Sequence, residues 1–397
     1  MSQHVMTFNA GSSSIKFALF ETDGTTLSAV ASGLVEMVGG TRHIEAHNSA
    51  GVKTHADSWT GEAGEPFHAD ALRRILDWRR TAYPAADIMA VGHRVVHGGI
   101  KYTAPVVVTD EVLQELNALV PLAPLHEPHN ISAILAAQNA WPDIPQVACF
   151  DTAFHRSHPF VNDVFALPRS YFDEGVRRYG FHGLSYEYVS DRLRQIAPQH
   201  AAGLVVVAHL GNGASMCAMR DGQAVATTMG FTALDGLPMG TRCGQLDPGV
   251  LLYFMQEKRM NAEQIADLLY HQSGLKGMSG ISQDMRELEA SDHPEAREAV
   301  EYFVVRIRRE LGGMAAALEG VDAIVFCGGI GEHAWRIRQR VLEGMQWIGV
   351  ELDATANQNS AQIISSERSR VRVFVIPTNE EIMIATHTLA AAGQSKR

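Results

Sequence analysis

The sequence predicts an α/β protein made of two domains that share one construction. Its 397 residues exceed what a single hydrophobic core usually supports. A strand pair with a glycine-rich tip occurs twice, at residues 5–20 and 205–227. After each copy, strands come first and then helices and strands alternate, which is typical of α/β domains. Two such domains, each with a phosphate-binding tip, indicate a nucleotide held between them, because clefts between domains are where ligand sites concentrate.

The first copy, VMTFNAGSSSIKFALF, predicts a β-hairpin whose tip binds phosphate. Glycine and three serines interrupt an apolar run, as in phosphate-binding loops, but the lysine does not stand where GxxxxGK[ST] would put it. Ile15, Phe17 and Leu19 recur with a period of two, which indicates a strand rather than a helix. Backbone N–H groups of the tip can form an anion-binding concavity. An ordinary polar turn is the alternative interpretation of this motif taken alone.

The second copy, VVVAHLGNGASMCAMRDGQAVAT, repeats the order of strand, glycine-rich tip, strand, turn and strand. Gly11 corresponds to Gly211, and the Asp-Gly pair at residues 23–24 corresponds to the pair at residues 221–222. Asp-Gly between alternating runs is a strong hairpin signal. Few residues are identical between the copies, so the match is one of pattern.

Helix and strand signals fill the rest of each half. The helix predicted at residues 262–271 opens with Asn261 and has Gln264 three residues on, which is a capping box. The tail PTNEEIMIATHTLAAAG predicts a turn followed by a helix that packs back on the first domain. The other predicted elements are strands at residues 32–38, 42–48, 88–96 and 322–329, and helices at residues 70–80, 250–258 and 294–318.

Composition excludes several classes of partner. Lys+Arg 33 against Asp+Glu 44 gives a net charge of -11, which disfavours nucleic acid or an anionic membrane as the main partner. The N-terminus lacks a basic segment followed by an apolar core, and no apolar run reaches the roughly 18 to 20 residues of a membrane span. The four cysteines are scattered without a CxxC pair, which predicts neither a disulfide framework nor a thiolate zinc site. We therefore expect a cytoplasmic protein.

Two other kinds of site are considered and set aside. The pairs His93/His97 and His126/His129 have spacings that could share a metal ion on a helix, but each lies near glycine or proline in a predicted loop. The stretch FCGGIGE could open a dinucleotide-binding unit, but it lacks GxGxxG and the acidic residue about twenty positions on. Neither a histidine metal site nor a dinucleotide fingerprint is favoured.

A family resemblance rests on nine stretches that occur in order over nearly the whole chain. They are NAGSSSIK, GHRVVHGG, APLHEPHN, FDTAFH, RRYGFHG, HLGNGAS, MGTRCG, FCGGIGE and PTNEE. Together they resemble the acetate kinases, which belong to the acetate and sugar kinase, Hsp70 and actin superfamily. The resemblance implies a duplicated actin-like or ribonuclease H-like fold, with mixed sheets flanked by helices and the active site in the interdomain cleft. It also implies reversible, Mg²⁺-dependent phosphoryl transfer from ATP to acetate, giving acetyl phosphate and ADP by direct in-line transfer.

The same resemblance implies the boundaries of the two domains and a different role for each. Residues 1–150 with residues 384–397 would form the N-terminal domain, with the first phosphate hairpin and the acyl site. Residues 151–383 would form the C-terminal domain, which binds the nucleotide and forms a homodimer.

The nucleotide is expected to contact glycine-rich stretches of both copies. In the first hairpin, Ser12 and Ser14 offer hydroxyl donors and Lys16 offers a cation. In FCGGIGE, glycines between a strand and a helix would let adenine lie against bare backbone. By resemblance the remaining nucleotide-binding residues are His209, Leu210, Gly211, Asn212, Gly213, Asp284, Met285, Arg286, Gly329, Ile330, Gly331, Glu332 and His333, the last standing where many relatives have asparagine.

Magnesium prefers hard oxygen ligands and often takes only one or two from the protein, and Mn²⁺ can replace it. By resemblance Asn9 belongs to the magnesium shell and Glu380 is the carboxylate ligand; the adjacent Glu381 has the same chemistry. The alternative interpretation of both glutamates is a solvated helix N-terminus, where carboxylates are favourable in any case.

The acceptor side requires cations, because transfer of a γ-phosphoryl group to a carboxylate brings two anions together. Arg94 and Arg242 lie in glycine-flanked stretches, and His182 and His126 would add donors. Asp151 is not needed as a base, since a carboxylic acid acceptor is already ionised at neutral pH. We expect Asp151 to position an arginine or polarise the site; a structural carboxylate fixing Arg94 or Arg178 is the overlapping alternative.

A small apolar pocket for the methyl group would be formed by Val96, Leu125 and Phe181. The family also uses a proline where this chain has Ala233, and alanine leaves more room. Because one methylene changes selectivity by only about 1 to 3 kcal/mol, a propionate kinase of the same mechanism is the nearest rival. The rival from another class is a non-catalytic ATP-gated binding module, but the chain has no spare segment for a peptide-binding domain or polymerisation inserts.

Overall fold

The computed structural model describes residues 3–11, 13–61, 66–124 and 126–394. Two of the predicted site residues, Ser12 and Leu125, lie outside these ranges. The chain divides into two compact units. Unit 1 contains the residues up to Ala153 together with those from Asn379 onward, and unit 2 is Phe154–Thr378.

Strands and helices of the described chain come mostly in runs of one type. The strands are β1 (Gln3–Ala10), β2 (Ser14–Thr22), β3 (Leu27–Val38), β4 (Thr41–Asn48), β5 (Lys53–Thr60), β6 (Asp87–Val95), β7 (Val106–Val107), β8 (Gln146–Phe150), β9 (Leu204–Leu210), β10 (Ala214–Arg220), β11 (Gln223–Thr227), β12 (Ala323–Cys327) and β13 (Arg372–Val375).

The helices cover the remaining regular structure. They are α1 (Phe67–Ala82), α2 (Asp110–Leu119), α3 (Glu127–Ala140), α4 (Phe160–Asp163), α5 (Arg169–Asp173), α6 (Gly183–Ile196), α7 (Pro198–Ala201), α8 (Pro248–Gln256), α9 (Ala262–His271), α10 (Gly274–Ser279), α11 (Met285–Ala290), α12 (Pro294–Leu318), α13 (Gly328–His333), α14 (Trp335–Glu343), α15 (Ala354–Gln358) and α16 (Glu380–Gln394). Among the described residues, none of these helices has both the length and the apolar composition needed to cross a bilayer.

Unit 1 is built on one mixed sheet of order β5-β4-β3-β2-β1-β6-β8-β7. Strands β1 to β5 form an antiparallel meander, while β1, β6 and β8 run parallel. Phe8, Phe17 and Ile75 belong to a core that α1 and α3 share with one face of the sheet. Helix α16 covers the other face, where Phe20 packs with Ala385. Coverage of both faces explains why every residue of β1 after Gln3 is buried, rather than every second one.

Unit 2 repeats the central part of this arrangement. Its sheet has the order β11-β10-β9-β12-β13, with β9, β10 and β11 antiparallel and β9, β12 and β13 parallel. Helix α6 packs on one face through Tyr186 and Val189, and the long helix α12 contacts β9, β10 and β11. Strand β9 therefore lies between one antiparallel and one parallel neighbour, as β1 does in unit 1. The predicted mixed α/β architecture, with two sheets flanked by helices, is confirmed.

Most elements with a strong local pattern occur where they are predicted. Both glycine-tipped hairpins form. In the turn that follows the second, between β10 and β11, Asp221 and Gly222 are both at positive φ, as a two-residue hairpin turn requires. Helices α9 and α12 have the predicted bounds, and the capping box of α9 is present. Strand β5 is not predicted by the sequence. The segment around His129 is predicted as a loop, which is wrong: it lies in the first turn of α3, which Pro128 helps to start.

Candidate active site

In unit 1, four predicted site residues meet at one edge of the sheet. Asn9 is near the end of β1, Arg94 is near the end of β6, and Asp151 directly follows β8. Because these three strands are parallel neighbours, their carboxyl ends lie side by side. Glu380 joins them as the first residue of α16. The sheet topology thus brings together residues that are far apart in the sequence.

Arg94 is held by a carboxylate on one side and an amide on the other. Its Nε donates to both Asp151 oxygens at 3.1 Å, and its Nη1 donates to Asn9 Oδ1 at 3.2 Å. The Asp151 side chain is fully buried, while the arginine keeps 17% of its side-chain surface exposed. Burial alone would lower the pKa of Arg94, but Asp151 and Glu380 raise it above its usual value. The guanidinium is therefore a permanent, oriented cation on a side chain that stays partly exposed.

A pair of glutamates adjoins this arginine and offers hard oxygen ligands. Glu380 Oε2 accepts from Asn9 Nδ2 at 2.7 Å and lies 3.9 Å from Arg94 Nε. Burial raises the pKa of Glu381, and the neighbouring Glu380 charge raises it further; its buried Oε1 has no hydrogen-bond partner among the described residues. The carboxylate of Glu380 and the unpaired oxygen beside it fit Mg²⁺, which needs few protein ligands. The Asn9 side-chain carbonyl accepts from Arg94, so its amide nitrogen points to Glu380 and orients that carboxylate.

Histidine does not take part in a metal cluster in unit 1. His93 Nε2 and Gln146 Oε1 are 2.8 Å apart inside the sheet, and His129 stacks on His68. Within the described ranges, no group of three or more His, Cys, Asp or Glu side chains is arranged to hold a metal ion.

The first phosphate hairpin lies beside the Arg94 cluster. Lys16 pairs with Asn9 across the β1–β2 ladder and is exposed. Ser14 is half-buried at the start of β2. The Gly11 N–H donates to the Ser14 carbonyl at 2.8 Å and closes the turn, so this N–H is not available to an anion. A cation and the end of an antiparallel hairpin therefore stand next to the oriented guanidinium.

Among the described residues predicted for the acceptor side, Val96 follows β6 and His126 precedes α3. Val96 is buried and its N–H donates to Asn130 Oδ1 at 3.0 Å. His126 is the residue that precedes α3, and it is half-buried. Phe181 belongs to unit 2, where it is buried and its carbonyl lies 2.9 Å from His155 Nε2.

Sequence reasoning missed Glu127, which lies within the motif APLHEPHN. Its side chain is fully buried, and no side chain among the described residues forms a hydrogen bond with its carboxyl group. Burial raises the pKa of Glu127 to about 8; a hydrogen bond from the His97 backbone opposes this shift and the Asp151 charge adds to it. The motif places this acid between a histidine and a proline, but nothing in it indicates that the acid is buried.

In unit 2, two predicted histidines stack on each other. The rings of His182 and His209 have centroids 4.3 Å apart. His182 Nδ1 lies 2.8 Å from Ser215 Oγ, and the same hydroxyl contacts Tyr186. His182 has φ 59, a left-handed conformation that is uncommon for a residue other than glycine. Backbone strain of this kind concentrates at functional sites, and here it turns the ring toward the second hairpin tip.

Arg242 and the second hairpin tip are neighbours. A Cβ added at Gly213 would lie 3.3 Å from His182 Nε2 and 3.9 Å from Arg242 Nη1. Arg242 Nη1 donates to the Ala233 carbonyl at 2.9 Å. The Gly240 N–H donates to the Asn212 carbonyl at 3.1 Å, which ties the loop carrying Arg242 to the tip. The structure thus brings a guanidinium, an imidazole and a glycine-rich tip together within unit 2.

The glycines of FCGGIGE follow β12, the strand parallel to β9. Cys327 pairs with His209, so the two glycine-rich stretches begin at the same sheet edge. A Cβ at Gly211 would lie 3.9 Å from the Gly329 nitrogen. Glu332 turns back to accept from Gly328 N–H at 2.9 Å and from Thr378 N–H at 3.2 Å. Leu210 and Gly331 are buried, Ile330 is half-buried, and Gly329 presents bare backbone.

Three further predicted residues lie near the start of α11. Asp284 caps this helix by accepting from the Arg286 N–H at 2.9 Å, and the two side chains form an ion pair. Arg286 is exposed, whereas Met285 is buried in unit 2. A Cβ at Gly240 would lie 3.3 Å from Gln283 Cβ, so this helix begins beside the Arg242 loop. His333 is exposed at the end of α13.

Comparison with known proteins gives one consistent result. The profile of the Acetokinase family matches residues 4–386. The chain is 68% identical to an acetate kinase of Methylocella silvestris, with 99% of each chain covered, and 55% identical to one of Rhodopseudomonas palustris, with 98% of each covered.

Solved structures agree with the sequence comparisons. The crystal structure of Porphyromonas gingivalis acetate kinase has a TM-score of 0.86 at 37% identity, and it covers 98% of this chain and 99% of its own. A Francisella tularensis propionate kinase has a TM-score of 0.89 at 36% identity with the same coverage. These similarities confirm the predicted fold class.

Proposed function

Because this chain belongs to the acetokinase family, we propose that it catalyses the reversible transfer of the γ-phosphoryl group of ATP to acetate, giving acetyl phosphate and ADP. The observation that carries the proposal within the molecule is the Arg94 guanidinium, which Asp151 orients while the arginine side chain stays partly exposed. Transfer to a carboxylate needs such a cation, because acceptor and donor are both anions. No general base is required, since acetate is ionised at neutral pH.

Unit 1 supplies the acceptor-side groups. Arg94 pairs with the acetate carboxylate or with the transferring phosphoryl group, and the exposed Lys16 attracts the phosphates. Asp151 acts as the positioning carboxylate of Arg94 rather than as a base. Val96, Leu125 and Phe181 are proposed to line the acyl end, and His126 is proposed to donate near the transferred group.

Unit 2 supplies the nucleotide-side groups. The tip at His209–Gly213 and the glycines at 329–331 offer backbone to phosphates and adenine, and Asp284 to Arg286 flank the ribose. Arg242 and His182 donate to oxygen atoms on which charge develops during transfer. Removal of one such aimed donor commonly costs about 3 kcal/mol of transition-state stabilisation.

Magnesium is the proposed divalent ion, and Mn²⁺ shares its preference for oxygen ligands. Glu380 would hold it, with Asn9 keeping the carboxylate oriented through the 2.7 Å hydrogen bond. When bound, the ion neutralises phosphate charge. The residues of this chain themselves provide an oriented carboxylate, two guanidinium groups and a lysine.

Trapping acyl phosphate with hydroxylamine tests the proposed reaction. Acetate and ATP should give acetyl hydroxamate in amounts that match the ADP released, whereas a non-catalytic ATP-binding module would give none.

Comparison of kcat/KM for acetate, propionate and butyrate tests the substrate. We expect acetate to be preferred over propionate by about 1 to 3 kcal/mol in activation free energy. A preference for propionate would overturn acetate as the substrate and leave the reaction type intact.

A homodimer formed through unit 2 is the proposed assembly. Helix α8 is rich in apolar residues, and none of its nine residues is buried. Leu252, Tyr253 and Met255 are 54%, 47% and 46% exposed, a concentration of apolar surface typical of an interface between copies. Light scattering should give twice the mass of one chain for the wild type and a lower mass for Leu252→Arg. Gln256→Arg adds the same charge at a polar position and should stay dimeric; a monomeric wild type would contradict the proposal.

The proposed location is the cytoplasm. The four cysteines are all free thiols, which is the usual state in a reducing compartment. Fractionation of cells with an antibody against the chain should recover it with cytoplasmic markers, and recovery with membranes would contradict this location.

A further inference from the structure

The tip of the first hairpin has its carbonyl groups turned toward the protein. Gly11 N–H donates to the Ser14 carbonyl at 2.8 Å, and Met37 N–H donates to the Ser13 carbonyl at 3.0 Å. The carbonyls of Ala10 and Gly11 are bound by side chains instead. Every carbonyl from Ala10 to Ser14 that the structure describes therefore has a hydrogen-bond donor. This matters because carbonyl oxygens facing a phosphate would repel it.

Asn130 binds the hairpin and the loop after β6 at the same time. Its Nδ2 donates to the Ala10 carbonyl at 3.0 Å, and its Oδ1 accepts from the Val96 N–H at 3.0 Å. The side chain is 1% exposed, so water does not compete for either bond. One amide thus links the end of β1, which carries the phosphate hairpin, with the end of β6, which carries Arg94.

Among the described residues, the hydrogen-bond partner of the His68 ring is in the hairpin. Its Nε2 lies 2.7 Å from the Gly11 carbonyl, and its ring stacks on His129 with centroids 4.6 Å apart. Burial lowers the pKa of His68, and His129 lowers it further, while the bond to Gly11 opposes this shift. Since a carbonyl only accepts, Nε2 carries the ring hydrogen in the neutral imidazole.

We propose that Asn130 and His68 are positioning residues of the proposed phosphoryl transfer, with Asn130 setting both the phosphate hairpin and the acyl-side loop and His68 setting the hairpin alone. Neither contacts substrate in this inference; each fixes a carbonyl so that the tip keeps its polarity toward an anion. The inference rests on the proposed function for its two substrates. The last residue of the APLHEPHN motif, Asn130, thereby has a role of its own, separate from those of the histidines and the glutamate in that motif.

Steady-state kinetics of matched variants test the two roles. His68→Phe keeps an aromatic ring for stacking but removes the hydrogen-bond donor to the Gly11 carbonyl. Because this carbonyl is then unsatisfied, KM for ATP should rise about tenfold. KM for acetate should stay within about twofold of the wild-type value. His68→Gln keeps an N–H donor and should recover part of the loss. Asn130→Ala should raise both KM values about tenfold. Asn139→Ala replaces an exposed asparagine of the same helix and should change neither.

Two further measurements separate positioning from folding. The dissociation constant of ADP, measured by calorimetry, should rise with KM for ATP in His68→Phe and Asn130→Ala, and the thermal midpoint identifies any variant that is partly unfolded. If folded His68→Phe binds ADP as the wild type does, or raises both KM values equally, the inference is wrong. If the wild type forms no acetyl hydroxamate, the proposed function fails, and the ADP affinities still decide whether His68 sets the hairpin.

Discussion

The two hairpins share one framework but carry opposite kinds of side chain. In unit 1, Asn9 pairs with Lys16 across the ladder, and in unit 2 the equivalent pair is His209 with Ser215. The first tip is one residue longer than the second, since Ala10 pairs with Ile15 but Leu210 pairs with Ala214. The duplicated frame therefore fixes where side chains stand, while the residue type at each place decides what chemistry the hairpin supports.

The neighbouring strand extends this contrast. Arg94 follows the His93 that pairs with Phe8, and the equivalent place in unit 2 is Cys327, which pairs with His209. At this end of the sheet unit 1 has a guanidinium and two carboxylates, whereas unit 2 has a thiol and two histidine rings, and its guanidinium, Arg242, comes from a separate loop. The cluster of unit 1 can hold anions and a metal ion but must keep its own charges balanced, whereas the histidines of unit 2 are held by stacking and by the hydrogen bond to Ser215.

The largest expected effect is that of Arg94→Ala, which breaks the charge balance of unit 1. Turnover should fall at least about 100-fold, because an aimed cation is lost. The free energy of unfolding should also fall by about 3–5 kcal/mol, because the fully buried Asp151 loses its charge partner. Acyl hydroxamate assays and urea denaturation measure the two effects separately.

The double variant Arg94→Ala/Asp151→Asn is the matched control. It removes the unpaired charge, so it should recover much of the stability while turnover stays low. Recovery of turnover in the double variant would show that Arg94 serves only to neutralise Asp151.

Smaller and different effects are expected from the two hairpin positions. Lys16→Ala removes an exposed charge and should raise KM for ATP about tenfold at low ionic strength, with the gap narrowing as salt screens the charge. Ser215→Ala removes the hydroxyl that His182 and Tyr186 share, and should lower kcat about tenfold with no such salt dependence. Kinetics over a range of potassium chloride concentrations compare the two variants. Equal salt dependence would remove the distinction between a charged and a neutral hairpin.

Local patterns in the sequence were enough to predict the hairpins and several helices. The period of two after Gly11, the Asp-Gly turns and the capping box of α9 each depend on residues close in the chain. Strand β5 was missed because its exposed, polar residues give no alternating apolar signal. Helix α3 is not predicted by the sequence, because the proline at its start is also a loop signal, although proline is favourable in a first helical turn.

The contacts that arrange the site were beyond local patterns. The bonds from Asn130 to Ala10 and from Asn9 to Glu380 join residues that only the sheet and the helices packed on it bring together. The roles assigned to single residues from the family resemblance remain predictions, because they concern ligands. The burial of Glu127 could not be predicted either, because it follows from packing beneath the loop after β6 and no local pattern indicates it.

Glu127 provides the smallest predicted effect, on the pH dependence of stability. Burial raises the pKa of its carboxyl group from 4.5 to about 8 in the folded protein. The protonated form is therefore favoured by folding, so this stabilisation is complete below about pH 4.5 and is lost as the pH rises through about 8. The urea midpoint of the wild type should fall between about pH 6 and about pH 9, and that of Glu127→Gln should fall less, since an amide does not ionise. Parallel curves for the two proteins would mean that Glu127 is already ionised and compensated at neutral pH.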